Sequence, residues 1–108
     1  MIINYSQTVN LMLSDDYKER FIAEYWQTKI RYEKLKDFNT KIEAARRTLS
    51  SGTPTIKEPE HDCPAGLLRD QQSAMGEYLH LLEIRAVIEG IDLDSIHYTN
   101  CQAGNKDE

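Results

Sequence analysis

Apolar and polar positions follow a helical period along much of this chain, most clearly over residues 17–38, YKERFIAEYWQTKIRYEKLKDF. Phe21, Tyr25, Thr28, Tyr32, Leu35 and Phe38 succeed one another at steps of three and four, which keeps one stripe on one side of a helix. Ile22, Trp26 and Ile30 form a second stripe beside it. A single short partner cannot cover both stripes, so the wide face implies more than one neighbour. The pattern continues through Ile42, Ala45 and Leu49. Asp16 with Glu19 fits a capping box, with Ser14 and Asp15 as alternative caps. Arg46 and Arg47 suit a last turn, where cations complement exposed carbonyls, and Ser51, Gly52 and Pro54 then stop the helix. The expected helix runs from about 16 to 50, roughly 50 Å. Its expected weak point is Asn39–Thr40, whose side chains compete for backbone hydrogen bonds.

A polar loop, GTPTIKEPEHD, precedes a second helix expected over about 63–89, with Pro64 in its first turn. Its apolar positions include Leu67, Leu68, Ala74, Met75, Tyr78, Leu81, Leu82 and Ile88. Gly76, mid-helix, admits a close neighbour. Gly90 is the expected C-cap, with Ile91 making the hydrophobic contact that follows it. Ahead of the first helix, Ile2, Ile3 and Tyr5 fit a short strand and Val9 to Leu13 a helical turn; an apolar arm of this kind suits packing on a neighbouring subunit. The fold class that follows is all-α: a long antiparallel helical hairpin (about 16–50 and 63–89) assembling into an oligomeric helical bundle. The arm occupies 1–15, the hairpin domain 16–90, and a tail that turns polar after Tyr98 and ends in disorder occupies 91–108.

Length and charge narrow the picture. A chain of 108 residues is one domain with a modest core, and oligomerisation hides further apolar surface. No apolar run reaches the length of a membrane span, and the start lacks a basic region and cleavage site, so a soluble intracellular protein is expected. Two cysteines are too few for a disulfide framework. The formal net charge is -5, yet residues 16–47 carry nine basic against six acidic side chains. A mildly basic first helix facing an acidic second half favours antiparallel pairing and argues against a duplex-DNA binder.

Arg20, Thr28, Gln71 and Arg85 fall on or beside the apolar stripes. A guanidinium at Arg85 needs an anion, either a ligand phosphate or carboxylate, or a structural partner among Glu19, Glu24 and Glu83. Tyr17, Tyr25, Trp26, Tyr32 and Tyr78 place flat rings near cations. Bases stack on such rings while phosphates take the charges, although aromatics at helical spacing more often form core or interface. Trp26 is therefore an oligomer anchor or a ligand platform. His61-x-Cys63 and His97-x3-Cys101 lie at opposite ends of the second helix, roughly 40 Å apart, too far for one zinc site or a disulfide within a chain. No phosphate-binding glycine loop, zinc-protease motif or nucleophile elbow is present, so no enzyme and no cofactor is expected.

The set Tyr17, Glu19, Arg20, Glu24 and Tyr25, then Cys63, Pro64, Leu67 and Leu68, then Met75, Tyr78, Leu79, Leu82, Glu83, Arg85, Ala86, Ile88 and Glu89 resembles small phage-encoded proteins related to a crAss-like phage gene product. The resemblance covers about three quarters of the chain and implies a phage accessory protein in the cytoplasm of an infected bacterium. A more distant likeness, in size and architecture, is to the phage anti-CBASS and anti-Thoeris sponges, which hold nucleotide immune signals without cleaving them. These likenesses imply a homo-oligomer that sequesters a nucleotide second messenger, while the net acidity and the lack of an apolar span point away from duplex nucleic acid and membrane as partners. Tyr25, Trp26, Tyr32 and Tyr78 would then supply rings, and Arg20, Lys29 and Arg85 would hold phosphates. The alternative is a non-catalytic helical adaptor for a host or phage protein.

Overall fold

The computed structural model describes residues 4–52 and 56–95. The proposed strand residues Ile2 and Ile3, Pro54 in the loop, and His97, Cys101 and the polar end of the tail lie outside the described residues. Every regular element described is helical: a 3-10 turn at Tyr5–Thr8, then α1 (Val9–Met12), α2 (Tyr17–Ser50, 34 residues) and α3 (Ala65–Glu89, 25 residues).

The helix ends follow from local chemistry. Asp16 caps α2, its Oδ1 accepting from the Lys18 amide at 2.9 Å, while the Ser14 hydroxyl accepts from the Asp16 amide. Gly52, at φ +85°, ends the same helix, since L side chains rarely adopt that backbone. Pro64 stands just before α3 rather than inside its first turn, and its carbonyl accepts from the Leu68 amide. Gly90, at φ +70°, closes α3; Ile91 donates its amide to the Ala86 carbonyl at 2.8 Å and buries its side chain. The N-terminal 3-10 turn carries a capping box between Asn4 and Gln7.

The chain forms two compact units. The first joins residues 4–30 with 78–95, and the second spans Arg31–Glu77. In the first, the 17–30 and 78–89 segments run antiparallel, with Tyr17 meeting Arg85 and Glu24 meeting Tyr78. Phe21, Ile22, Ala23 and Tyr25 are buried on α2, as are Leu79, Leu82 and Ala86 on α3, and Leu82 is enclosed to 2 % exposure. The 3-10 turn docks on its own chain: Thr8 is fully buried, and its hydroxyl donates to the Tyr5 carbonyl and accepts from Gln27 at 2.8 Å.

In the second unit, Ile42, Ala45 and Ala65 form the small core. Asn39 does not break α2. Its Nδ2 reaches across to the Leu68 carbonyl at 3.1 Å and Gln72 Oε1 at 2.9 Å, while Thr40 bonds back to the Lys36 carbonyl. The side chain that competes for backbone bonds elsewhere here fastens two helical segments together. Phe38 meets His61 edge-on, and Arg46 grips Glu58 with two hydrogen bonds of 2.8 and 3.0 Å.

One face of α3 departs from the sequence reading. Leu79, Leu82 and Ala86 are buried, whereas Leu81, Ile84, Val87 and Ile88 are 53, 42, 83 and 77 % exposed. Leu67 and Tyr78, placed with the apolar stripe from the sequence, are exposed as well.

Candidate functional site

The first unit contains a cavity of about 430 Å³ lined by Met12, Tyr17, Arg20, Phe21, Glu24 and Arg85. Tyr17, Arg20, Phe21 and Glu24 share one face of α2 because they are spaced three and four residues apart. Arg85 enters from α3. Its guanidinium carbon stands 5.0 Å from the centroid of the Phe21 ring, its Nη2 donates to the Tyr17 hydroxyl, and its Nε donates to Glu89 at 3.2 Å. Glu89, one turn along the same helix, is therefore its ion-pair partner, rather than Glu19, Glu24 or Glu83. Arg20 donates from Nη1 to the Ser14 carbonyl at 2.7 Å.

Electrostatics keep the tyrosines protonated. Partial burial first, then the Glu89 carboxylate, push the Tyr17 hydroxyl above its ordinary range, with Arg85 opposing. Tyr78 is raised chiefly by its hydrogen bond to Glu24. The cavity thus offers two guanidiniums, one neutral phenol and one carboxyl group. Such a set matches a ligand carrying both anionic oxygens and N–H or O–H donors.

The remaining candidates are placed differently. Tyr25 is buried and donates its hydroxyl to Glu83 at 2.7 Å. Trp26 meets Tyr25 edge-on and donates its ring N–H to the Leu93 carbonyl at 2.7 Å. Both rings are thereby engaged within the protein. Lys29 is half-buried, is already engaged with a neighbouring group, and does not line the cavity. Tyr78 stands beside the cavity through Glu24. Tyr32 belongs to the second unit, where it lines a separate groove. Sequence reasoning passed over Phe21 and Glu24 as cavity walls, although their spacing from Tyr17 and Arg20 carries that signal. Met12 offered none. Among the described residues no cluster of His, Cys, Asp or Glu suits a metal ion, and no helix is long and apolar enough to cross a membrane.

A family model described as Sequestin matches residues 15–88. The chain belongs to the Sequestin family. The matched span takes in all of α2 and nearly all of α3, and with them every cavity residue except Met12. The name Sequestin points to a sequestering role, in keeping with a chain that offers a charged cavity. Neither a curated protein nor a solved structure matches the chain.

Proposed function

We propose that this protein binds a nucleotide-derived host immune signal, of cyclic oligonucleotide or ADP-ribose type, and holds it without cleaving it. As a phage accessory protein in the cytoplasm of an infected bacterium, with kin among crAss-like phages, it would blunt a defence that depends on that signal. The observation that carries this reading is the convergence of Arg20 and Arg85 on one cavity walled by Tyr17 and Phe21, in a member of the Sequestin family. Phosphates would take the two guanidiniums, while Glu24 would accept from a ribose hydroxyl or a base amine. No side-chain set for bond cleavage is needed, because sequestration requires only affinity and abundance.

The exposed Leu81, Ile84, Val87 and Ile88 supply a second element of the proposal. They leave on the order of 400 Å² of aliphatic surface on one helix face, within the range of the largest patches on monomers, which are often functional. A second copy of this chain would cover it, since one stripe laid against its own copy hides both at once. The adaptor reading competes for the same face, and light scattering separates them: a dimer or larger assembly supports self-association, a monomer supports a different protein partner.

The ligand is tested by a thermal-shift screen with cyclic di- and trinucleotides, linear dinucleotides and ADP-ribose derivatives, with mass spectrometry on the recovered ligand. A ligand at a hundred times its dissociation constant adds about 2.7 kcal/mol of stability. A clear shift with intact ligand, lost in a folded Arg85→Ala variant, is the expected result. No shift across the panel, or a cleaved ligand, would overturn the proposal.

A further inference from the structure

The second unit carries its own groove, of about 530 Å³, within the span of roughly 300–1,000 Å³ common for small-ligand sites. Tyr32, Lys36, Asn39, Arg69, Gln72 and Gly76 are among its lining residues. Three features set it apart from an ordinary cleft between helical segments.

The first is its charge. Elsewhere on the helices of this unit, Lys41 pairs with Asp37 at 3.0 Å, Arg46 with Glu58 at 2.8 Å and Arg47 with Glu43 at 2.7 Å. Lys36 and Arg69, in the groove, have no acidic partner among the described residues. Glu43, the acid in the lining, is held by Arg47. Two cations thus face one opening with their donors uncommitted.

The second is the placement of the Tyr32 ring. It lies so close to α3 that a Cβ built at Gly76 would stand 3.1 Å from Tyr32 Cε1. Glycine lets the ring press against the helix backbone and serve as a wall of the groove. The third is Asn39. It is only 7 % exposed, both its amide donors are spent on Leu68 and Gln72, and its Oδ1 accepts no hydrogen bond. A buried acceptor left unmatched costs free energy, and because this oxygen is closed off from solvent a ligand donor would recover that cost only as the amide turns toward the groove.

We infer that this groove is a second binding site, taking a phosphorylated nucleoside: phosphate on Lys36 and Arg69, the base against Tyr32, and a base N–H toward Asn39. Aromatic face, cations and an unmatched acceptor together are what such a ligand requires and what phosphate alone does not. The inference extends the sequestering reading, and rests on it for the class of ligand, but it uses none of the residues of the first cavity.

The experiment is an amide-resolved NMR titration of the full chain with AMP and, separately, with inorganic phosphate. AMP should shift the amides of Tyr32, Asn39, Arg69, Gln72 and Gly76. The Lys36→Ala/Arg69→Ala variant should bind AMP about tenfold more weakly or worse, as expected when charge-assisted hydrogen bonds are lost. Arg85→Ala should leave these shifts in place, so failure of the first cavity and failure of this groove are told apart. Gly76→Ala, which displaces the ring and leaves both cations, should weaken AMP and not phosphate. Shifts confined to the Tyr17–Arg85 region, or equal affinity for AMP and phosphate, would overturn the inference.

Discussion

The guanidinium of Arg85 stands 5.0 Å from the centroid of the Phe21 ring and donates to the Tyr17 hydroxyl. A planar cation over an aromatic face, anchored at one edge, keeps its remaining donors aligned for an oxyanion. Arg85→Lys retains the charge and loses the plane and the fork. Ligand affinity should fall about tenfold or more, while unfolding free energy moves by less than about 1 kcal/mol, because the side chain is half exposed. Calorimetric titration beside chemical denaturation measures both; equal affinity in the variant would remove Arg85 from the site.

The two faces of α3 make opposite predictions. Leu82→Ala should cost about 2–5 kcal/mol, since Leu82 is among the most enclosed side chains of the first unit. Ile88→Lys should leave the helical circular dichroism unchanged and abolish self-association, because Ile88 is 77 % exposed. A variant that unfolds at position 88, or assembles as before, contradicts the proposed use of that face.

Tyr25→Phe removes one hydroxyl and nothing else. That hydroxyl donates to the Glu83 carboxylate at 2.7 Å from a buried ring, so its loss should destabilise by about 1.5–3 kcal/mol, the usual range for bonds to charged groups. Ligand binding by the folded variant should be unchanged. Weakened binding at full stability would return Tyr25 to the ligand site.

The Arg46–Glu58–His61 cluster makes the anchorage of the loop depend on pH. Arg46 first and His61 second hold the Glu58 carboxyl down at about 2, and Glu58 first, then the Cys63 carbonyl, raises His61 above its ordinary 6.5. The Glu58 contribution is present above the unfolded value of 4.5 and is lost as pH falls toward 2. The His61 contribution is complete below 6.5 and is lost as pH rises through the folded value. Hydrogen exchange, corrected for intrinsic rates, should therefore show residues 56–62 best protected between about pH 4.5 and 6.5. A His61 midpoint at or below 6.5 by NMR would remove the upper edge of that window.

How much of this was legible depended on whether the determinant was local. The ends of α2 and the C-cap of α3 could be read because Asp16, Gly52 and Gly90 act on their own backbone. The buried face of α3 could not. Leu79, Leu82 and Ala86 recur at steps of three and four, and so do Leu81, Ile84 and Ile88 on the other side. Two apolar faces on one helix leave the period without a preference, and only packing decides. The same holds at the site. Arg20 and Arg85 could be singled out as cations near apolar stripes, and Glu89 lies a local four residues from Arg85, but the Tyr17 and Phe21 contacts depend on where two helices meet. Asn39 carried a local signal for breaking a helix, and tertiary hydrogen bonds to Leu68 and Gln72 overrode it.

Gly90 turns the chain out of α3, Ile91 buries, and the Leu93 carbonyl then receives the ring N–H of Trp26. The chain has one tryptophan, so its emission belongs to this clasp alone. Release of the 91–95 segment would free the indole N–H to water and move the emission to longer wavelength while the helices stayed intact. The protein carries a built-in optical gauge of its own C-terminal fastening, readable without a label.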